Sequence, residues 1–271
     1  MAASARDKRD AFRRLHQEGC FVLPNPWDVG SAKILQHLGF KALATTSAGM
    51  AWSMGLADGA VSLDEVLMHL SGLAHATDLP LNADFENAFA DEPDAVARNV
   101  ALAVDTGVAG LSVEDYSGQA GRGLYDFDLA VARVAAARAA IDRTQSGVLL
   151  TARSEGFIRG APDLEETIRR LRAFVDAGAD CLYAPGIREE AQVRAVVQAV
   201  APKPVNLLSI GQPVAAVADW GVRRISLGGA LASLAFNHFM AAAKEIAEQG
   251  SFTAIAQTPR GQPLNTIFSG G

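Results

Sequence analysis

Short apolar runs recur along the chain and alternate with longer stretches in which apolar residues repeat at helical spacing. Eight such runs occur: CFVLP at 20, KALAT at 41, LPLNA at 79, AGLSV at 109, GVLLTA at 147, CLYAP at 181, PVNLL at 204 and RRISL at 223. Segments between them, such as LDEVLMHLSGLAHAT, PDAVARNVALAVDTG and LEETIRRLRAFVDAG, have the period of amphipathic helices. The pattern therefore predicts eight strands that alternate with helices.

Several residues mark where these helices begin and end. Ser62 and Glu65 are spaced as a capping box. Pro93 and Pro162 suit the first turn of a helix. Four glycines follow helical stretches, and each can adopt the left-handed conformation that ends a helix before the next strand: Gly39, Gly107, Gly178 and Gly221.

Eight strand and helix units in 271 residues are typical of a (β/α)8 TIM-type barrel. We expect residues 1–271 to form one such barrel domain with an N-terminal helix and a C-terminal helical extension. A doubly wound α/β sheet is the alternative, although no glycine-rich fingerprint follows the first apolar run.

Composition and charge narrow the class of protein. With 49% hydrophobic and 20% charged residues, the chain can bury one large core. The net charge of −6 argues against nucleic acid as a partner. Cys20 and Cys181 lie in apolar runs, which favours reduced thiols and a cytoplasmic location. The N-terminus lacks the apolar segment of a signal peptide, and the run GALASLAFNHFMAAA is too short to span a bilayer. We therefore expect no membrane partner.

In a barrel of this type, functional side chains lie at the C-terminal ends of the strands. The residues that follow the eight apolar runs are therefore the first candidates: Trp27, Asp28, Thr46, Ser47, Ala48, Asp84, Glu86, Glu114, Arg153, Pro185, Gly186, Asn206, Ser209, Gly228 and Gly229.

The stretch LPLNADFENAF places Asp84 and Glu86 two residues apart. In extended backbone their side chains point to the same face and repel each other unless a cation offsets their charge. Glu114 follows the next run, and Asp58 lies in the loop MGLADG, so both can reach the same rim. Carboxylate and water oxygens are the ligands that magnesium prefers, and manganese is also possible. The alternatives are a solvated turn for the first pair, turn chemistry for Asp58, and a surface pair of Glu114 with Asp115.

Arg153 follows the apolar segment VLLTA, where a solvated arginine has little reason to be. Its planar guanidinium suits a substrate carboxylate, and a salt bridge to Glu155 or a neighbouring acid is the alternative. The small segment TTSAG lets backbone N–H groups approach a ligand oxygen, or serves only a tight turn. Trp27 either lines the mouth of the barrel or covers its end.

Taken together, GFKALATTSAGMAWSMGLADG, LPLNADFENAF, AGLSVEDY, LLTARSEGF and PVNLLSIG closely resemble the isocitrate lyase and phosphoenolpyruvate mutase family. The order and spacing of these motifs carry the resemblance over most of the chain. It implies a magnesium-dependent (β/α)8 barrel that makes or breaks a C–C or P–C bond next to a 2-oxo acid through an enolate-like species.

The resemblance also implies roles for individual residues. The metal-binding aspartate matches Asp84, and the acids that bind through water match Asp58, Glu86 and Glu114, although the family more often has aspartate at the position of Glu86. The predicted catalytic residues are Arg153, Glu114 and Asp58. The predicted substrate-binding residues are Trp27, Thr46, Ser47, Ala48, Asp84, Arg153 and Asn206.

Departures from the family limit the reaction. Isocitrate and methylisocitrate lyases carry a lid with a Lys-[Lys/Arg]-Cys-Gly-His motif, whereas YSGQAGRGLYDFD has no cysteine, lysine or histidine. The family's glutamate is missing from YAPG, and its Asn-x-Thr pattern reads Asn206, Leu207, Leu208. We therefore expect a lyase for a small 2-oxo or 2-hydroxy carboxylate, not an isocitrate lyase. The glycines of this segment suit a closing lid or a flexible surface loop.

Two other functions stay open from the sequence. One is P–C chemistry on phosphonopyruvate, as a mutase or hydrolase, and the other is a non-catalytic protein that binds 2-oxo acids. The last long helix, LASLAFNHFMAAAKEIAEQG, is apolar over more of its circumference than packing on its own barrel requires. Because family members exchange this helix between subunits, we expect a homo-oligomer, a dimer of dimers. Internal packing is the alternative.

Overall fold

The computed structural model describes residues 3–119, 121–209, 211–258 and 262–269. Its strands are β1 Phe21–Leu23, β2 Leu43–Ala44, β3 Leu81–Asp84, β4 Gly110–Glu114, β5 Leu149–Arg153, β6 Cys181–Tyr183, β7 Val205–Leu208 and β8 Arg224–Ser226. Its helices are α1 Ala5–Leu15, α2 Val29–His37, α3 Ser47–Ser53, α4 Leu63–Ala76, α5 Pro93–Asp105, α6 Phe127–Thr144, α7 Leu164–Asp176, α8 Glu190–Val200, α9 Val214–Asp219, α10 Ala230–Gln249, α11 Thr253–Gln257 and α12 Gln262–Phe268.

All strands are parallel and pair in the order β1-β8-β7-β6-β5-β4-β3-β2. Across the remaining gap between β1 and β2, the Ala44 N–H donates to the Pro24 carbonyl at 3.0 Å. Each predicted apolar run contains one strand, which confirms the (β/α)8 barrel and excludes the doubly wound sheet.

The helix boundaries follow the sequence signals with one exception. Ser62 and Glu65 form the predicted capping box, and Pro93 is the first residue of α5. The prediction for Pro162 is wrong, because the Asp163 side chain accepts a hydrogen bond from the Glu166 N–H and caps α7 one residue later. The four glycines before β2, β4, β6 and β8 all have positive φ: Gly39 (85°), Gly107 (93°), Gly178 (97°) and Gly221 (91°).

Helix α1 closes the N-terminal end of the barrel. Phe12 is fully buried and packs in a small apolar cluster with residues that include Leu23 and Leu149. A Cβ atom at Gly110 would lie 2.7 Å from the Phe12 ring, so the first position of β4 needs a glycine. This apolar plug leaves the opposite, C-terminal end of the strands for a polar site.

The C-terminal helices lie outside the barrel. Of the α10 residues, Leu234, Phe239 and Met240 are each more than half exposed. Helix α12 lies against α2. Within the described ranges, no helix combines the length and the hydropathy that crossing a membrane requires.

Candidate active site

A cavity of about 230 Å³ opens at the C-terminal ends of the strands. Eight of the predicted site residues line it: Thr46, Ser47, Ala48, Asp58, Asp84, Glu114, Arg153 and Asn206. Two others lie elsewhere. Glu86 borders a small adjoining cavity together with Asp84 and His69, and Trp27 lies on a separate apolar groove beside Phe236 and Phe239.

Arg153, the last residue of β5, lies in a group of three carboxylates. Its Nη1 is 2.6 Å from Asp84 Oδ1, and its Nη2 is 3.1 Å from Glu114 Oε2 and 2.9 Å from Glu155 Oε1. The salt bridge to Glu155 therefore exists, but it is one of three. Burial alone would lower the pKa of Arg153, yet the three carboxylates outweigh it and raise that pKa.

Strand register explains why these side chains meet. Glu114 and Arg153 are paired across β4 and β5, and each is the last residue of its strand. Asp84 ends β3, and its pairing partner Ser112 lies two residues before Glu114, on the same face of β4. Three consecutive strands thus end in charged residues that point into the barrel mouth.

The turn after β3 holds Glu86 in a backbone conformation that L-residues rarely adopt, with φ of 45°. Arg133, which is 1% exposed, fixes this turn from α6 by donating to the Asn87 carbonyl at 2.5 Å and to the Asp91 carbonyl at 2.6 Å. Burial raises the pKa of Glu86 to about 7, and the charges of Asp84 and Asp58 add to this effect. Arg133 thus fixes the turn that carries Glu86, whose charged form is disfavoured by burial and by the neighbouring carboxylates.

Glu114 and Asp115 are both buried, so the interpretation as a surface pair is wrong. Burial raises the pKa of Glu114 well above its usual value. Asp115 points away from Arg153: its Oδ1 accepts from the Glu155 N–H at 2.8 Å, and its Oδ2 is 3.2 Å from Arg170. Asp115 therefore positions Glu155 at the base of the cavity.

Sequence reasoning missed the role of Arg159. This half-exposed residue lies 3.4 Å from Glu155 Oε2 and 3.6 Å from Glu114 Oε1, and it stacks 4.0 Å over the ring of Tyr116. Its segment can approach β6 closely because Gly186 lacks a side chain: a Cβ there would lie 2.7 Å from the Ile158 nitrogen. The sequence feature that could have indicated this contact is the spacing of Arg159 four residues after Glu155.

Carboxylates outnumber cations at this mouth. Asp84, Glu86, Glu114 and Glu155 face Arg153 and Arg159, and Asp58 adds a further acid at the rim. The buried Glu155 Oε2 accepts no hydrogen bond from the described residues, although Arg159 lies 3.4 Å away as an ion-pair partner. Among the described residues, no three acidic, histidine or cysteine side chains gather closely enough to hold one ion directly. The donor set instead suits a hard cation that contacts one carboxylate and reaches the others through water.

The wall formed by β6, β7 and β8 carries neutral donors and one buried cation. Arg224 is 2% exposed, and its Nε donates to Asn206 Oδ1 at 2.8 Å while its Nη2 donates to Thr151 Oγ1 at 3.1 Å. Asn206 Nδ2 in turn donates to Ser226 Oγ at 2.9 Å. No carboxylate in the described ranges pairs with Arg224. This arrangement was not predictable from local sequence, because Arg224, Asn206 and Thr151 lie within the apolar runs.

The loop after β4 is tied to the turn after β3. Tyr116 and Leu124 form an antiparallel bridge, and the Ser117 N–H donates to the Gly123 carbonyl at 3.0 Å. Arg122 Nη1 lies 2.5 Å from Asp91 Oδ2. Ala120 lies outside the described residues, and the function of this loop as a lid stays a prediction.

The fold and the charged cavity define a (β/α)8-barrel enzyme with its site at the C-terminal ends of the strands. The sequence matches the family described as phosphoenolpyruvate phosphomutase over residues 12–247, so the chain belongs to that family. Membership of the phosphoenolpyruvate mutase and isocitrate lyase superfamily, expected from the motifs, is thereby confirmed.

Three similar proteins illustrate the range of this superfamily. The 2-methylisocitrate lyase of Escherichia coli K12 is 31% identical, over 74% of this chain and 70% of its own. The oxaloacetate decarboxylase of Paraburkholderia xenovorans LB400 is 31% identical, over 75% and 69%. The crystal structure of a candidate lyase or mutase from Burkholderia cenocepacia J2315 has a TM-score of 0.94 and 42% identity, and covers 98% of this chain and 96% of that one.

Proposed function

We propose that this enzyme is a divalent-cation-dependent lyase that breaks or forms a C–C bond in a small 2-oxo or 2-hydroxy carboxylate such as oxaloacetate. The observation that carries the proposal is the position of Arg153, a guanidinium 13% exposed at the cavity mouth and surrounded by three carboxylates. A planar guanidinium in such a place can bind a substrate carboxylate through two parallel hydrogen bonds.

Asp84 links cation binding to substrate binding. Its Oδ1 is engaged by Arg153 Nη1 at 2.6 Å, and its Oδ2 accepts from the Ser47 N–H at 3.1 Å. Arg153 gains a free N–H for a substrate carboxylate when Asp84 turns to another cation. We therefore expect the substrate to bind more tightly to the enzyme in the presence of magnesium or manganese.

The residues present fit a hard cation. Asp84 would hold it directly, and Asp58, Glu86 and Glu114 would hold its water ligands. Once bound, such a cation stabilises negative charge as it develops on the 2-oxo oxygen of the substrate. The chain's own residues bind and orient: Arg153 would hold the substrate carboxylate, and Ser47 and Ala48 line the same cavity.

The sequences of the loop after β4 and of the ends of β6 and β7 favour a small substrate over an isocitrate-type one. Residues 116–128 contain no cysteine, lysine or histidine, so the acid that family lyases use on isocitrate-type substrates is absent. A positioned general acid typically contributes about 100- to 10,000-fold to proton transfer. Similarity to an oxaloacetate decarboxylase is consistent with a 2-oxo dicarboxylate in this cavity.

A magnesium-supplemented screen tests the proposal with oxaloacetate, dimethylmalate-like hydroxy diacids, isocitrate, methylisocitrate and phosphonopyruvate. We expect release of a 2-oxo acid or CO2 from the small diacids above the metal-only rate, and turnover of isocitrate and methylisocitrate far below about 1 per second, the low end of ordinary enzymes. Fast methylisocitrate cleavage would contradict our interpretation of the loop.

Two outcomes of the same screen would replace the proposal. Turnover of phosphonopyruvate alone, followed by phosphorus NMR, would establish P–C chemistry. Thermal stabilisation by 2-oxo acids without any product would establish a protein that only binds them.

We further propose that the enzyme is a homo-oligomer built through α10, with this helix exchanged between subunits and a dimer of dimers as the expected assembly. Phe239 is 72% exposed and Met240 is 58% exposed, on a helix in which only Ala232 is buried among the described residues. Phe236 and Phe239 also border the apolar groove that contains Trp27. Burying these side chains against a second copy would stabilise the assembly by removing apolar surface from water.

A further inference from the structure

Tyr183 is the one phenol on the wall of the cavity among the described residues. It is the last residue of β6, it is 8% exposed, and its ring centroid lies 5.3 Å from the guanidinium carbon of Arg153. Tyr183 therefore lines the same cavity as Arg153, the group that we propose to hold the substrate carboxylate. The proposed reaction requires a proton donor there, and the loop after β4 offers no thiol, ammonium or imidazole.

Strand pairing joins Tyr183 to the buried cation Arg224, two strands away on the same wall. Tyr183 pairs with Asn206 across β6 and β7, and Asn206 pairs with Arg224 across β7 and β8. Because strands in a barrel are tilted, such a lateral row descends from the rim toward the interior. The row ends at Arg224, the first residue of β8.

The hydrogen bonds along this row have a fixed direction. Arginine can only donate, so the Asn206 oxygen must face Arg224 Nε, at 2.8 Å, and the Asn206 amide must donate to Ser226 Oγ, at 2.9 Å. Ser226 accepts that bond and keeps its own proton to donate. Ser226 is also the neutral neighbour that lowers the pKa of the Tyr183 phenol, against the larger effect of burial, and this is the direction expected where the serine donates toward the phenol oxygen.

Asn206 and Ser226 are already joined to each other and to Arg224, and none of these bonds takes the proton of the Tyr183 hydroxyl. No residue in the described ranges accepts it, and the cavity is the space beside it. We propose that Tyr183 is a catalytic residue that donates its hydroxyl proton to the substrate carbon freed by C–C cleavage, and that Ser226, Asn206 and Arg224 are positioning residues that orient this hydroxyl. The inference rests on the proposed lyase function.

The proton balance of the step is simple. For a 2-oxo diacid such as oxaloacetate, the bond to the departing carboxylate breaks, its electron pair stays with the carbon next to the 2-oxo group as an enolate, and that carbon takes the proton from Tyr183 Oη. With oxaloacetate the other product is CO2. The tyrosinate recovers its proton from solvent, so one proton is consumed for each turnover.

The environment of Tyr183 suits a donor. Burial raises the pKa of Tyr183 to about 12, against the charge of Arg153, so the phenol holds its proton throughout the neutral range. The row that donates to its oxygen stabilises the tyrosinate during the transfer, as hydrogen-bond donors aimed at developing charge do. Chains of hydrogen bonds polarise one another, which strengthens the last donor in the series.

Tyr183→Phe tests the proposal because it keeps the ring and its contact with Arg153. With the substrate turned over fastest in the screen, we expect kcat to fall about 100-fold or more and KM to change by less than about threefold. Deuterium incorporation from D2O into the product that gains the C–H bond, followed by proton NMR, should fall in parallel. Thermal stabilisation by a 2-oxo acid should be unchanged.

Two further variants separate a chemical from a structural role. Tyr116→Phe is the matched control, since it removes a phenol that stacks on Arg159 outside the row, and we expect kcat within about threefold of the parent. Ser226→Ala leaves the Tyr183 hydroxyl but removes its orienting donor. We expect Ser226→Ala to lower kcat and deuterium incorporation about tenfold, which corresponds to the free energy of one hydrogen bond. This variant still tests the proposal if Tyr183→Phe does not fold.

The outcomes distinguish this inference from the function on which it rests. A parent enzyme without turnover of any small diacid overturns the proposed function and this inference together. This inference alone is overturned if the parent turns over its substrate and both Tyr183→Phe and Ser226→Ala keep kcat and deuterium incorporation within about threefold of the parent values. A large loss in Tyr116→Phe with none in Tyr183→Phe would assign the proton to the loop and also overturn it.

Discussion

The two halves of the cavity wall differ in their chemistry. Strands β3 to β5 end in Asp84, Glu114 and Arg153, whose charges pair with one another and with Glu155. Strands β6 to β8 present no carboxylate to the cavity among the described residues. They carry neutral donors and the unpaired cation Arg224. We call the first half the acid wall and the second the donor wall.

The difference indicates that the acid wall and the donor wall have different functions. On the acid wall, burial and then the charges of Asp84 and Asp58 raise the pKa of Glu86 to about 7, so that half of the site gains most from an external cation. On the donor wall, hydrogen bonds run in one direction from a buried arginine toward the cavity. The first arrangement suits the binding of a cation and a carboxylate, and the second suits the delivery of a proton.

The largest effect should come from Asp84→Ala on the acid wall. We expect kcat/KM to fall about 100- to 1,000-fold, because charge stabilisation by a bound cation is worth several kcal/mol. Magnesium should no longer raise the melting temperature, since a ligand stabilises only the state that binds it. Differential scanning fluorimetry with and without magnesium measures this response.

Asp10→Ala is the control for that experiment. Asp10 is exposed on α1, at the plugged end of the barrel, so removing its carboxylate should leave the magnesium response intact. Metal binding by Asp84→Ala as tight as in the parent would show that the cation does not depend on Asp84, and that the acid wall has another role.

A smaller effect should follow from Phe239→Lys on α10, which continues from β8 of the donor wall. If a second copy covers this face, a lysine there places a charge in an apolar contact, and light scattering at micromolar concentration should show a smaller assembly. We expect the melting temperature to fall by several degrees, since about 1 kcal/mol corresponds to about 2–4 °C in a chain of this size.

Met68→Lys is the matched control, because Met68 is 68% exposed on α4, away from α10. It should leave the assembly unchanged. A parent protein that is already monomeric at this concentration would contradict the proposed oligomer.

The barrel was predictable because each strand falls in a short apolar run and several helix ends have a local signal, such as Ser62 before α4 and Gly107 after α5. The acid wall was predictable for a related reason: charged residues directly after apolar runs stand out in the sequence. Pro162 misled the prediction, because Asp163 offers a stronger cap one residue later.

The donor wall and the supports of the acid wall could not be found in the same way. Arg224 lies in a strand, and its partners Asn206 and Thr151 are far away in sequence, so only the register of the barrel brings them together. Arg133 holds the turn of Glu86 from a helix surface that a periodic pattern assigns to ordinary packing. The separation of Trp27 from the central cavity likewise depends on where α10 lies.

The smallest expected effect concerns acid stability and the cation of the donor wall. Burial, followed by the charge of Arg224, lowers the pKa of His16 to about 3 from 6.5. Below pH 6.5, His16 of the unfolded chain therefore binds a proton that the folded protein does not bind. The contribution of His16 to the free energy of unfolding is thus present above pH 6.5 and is lost as pH falls toward 3. The slope approaches about 1.4 kcal/mol per pH unit. Urea unfolding at pH 7 and pH 4.5 should show a flatter dependence for His16→Gln than for the parent, whereas His37→Gln, at an exposed position, should follow the parent. Parallel curves for all three proteins would mean that the folded protein does not hold His16 in its neutral form.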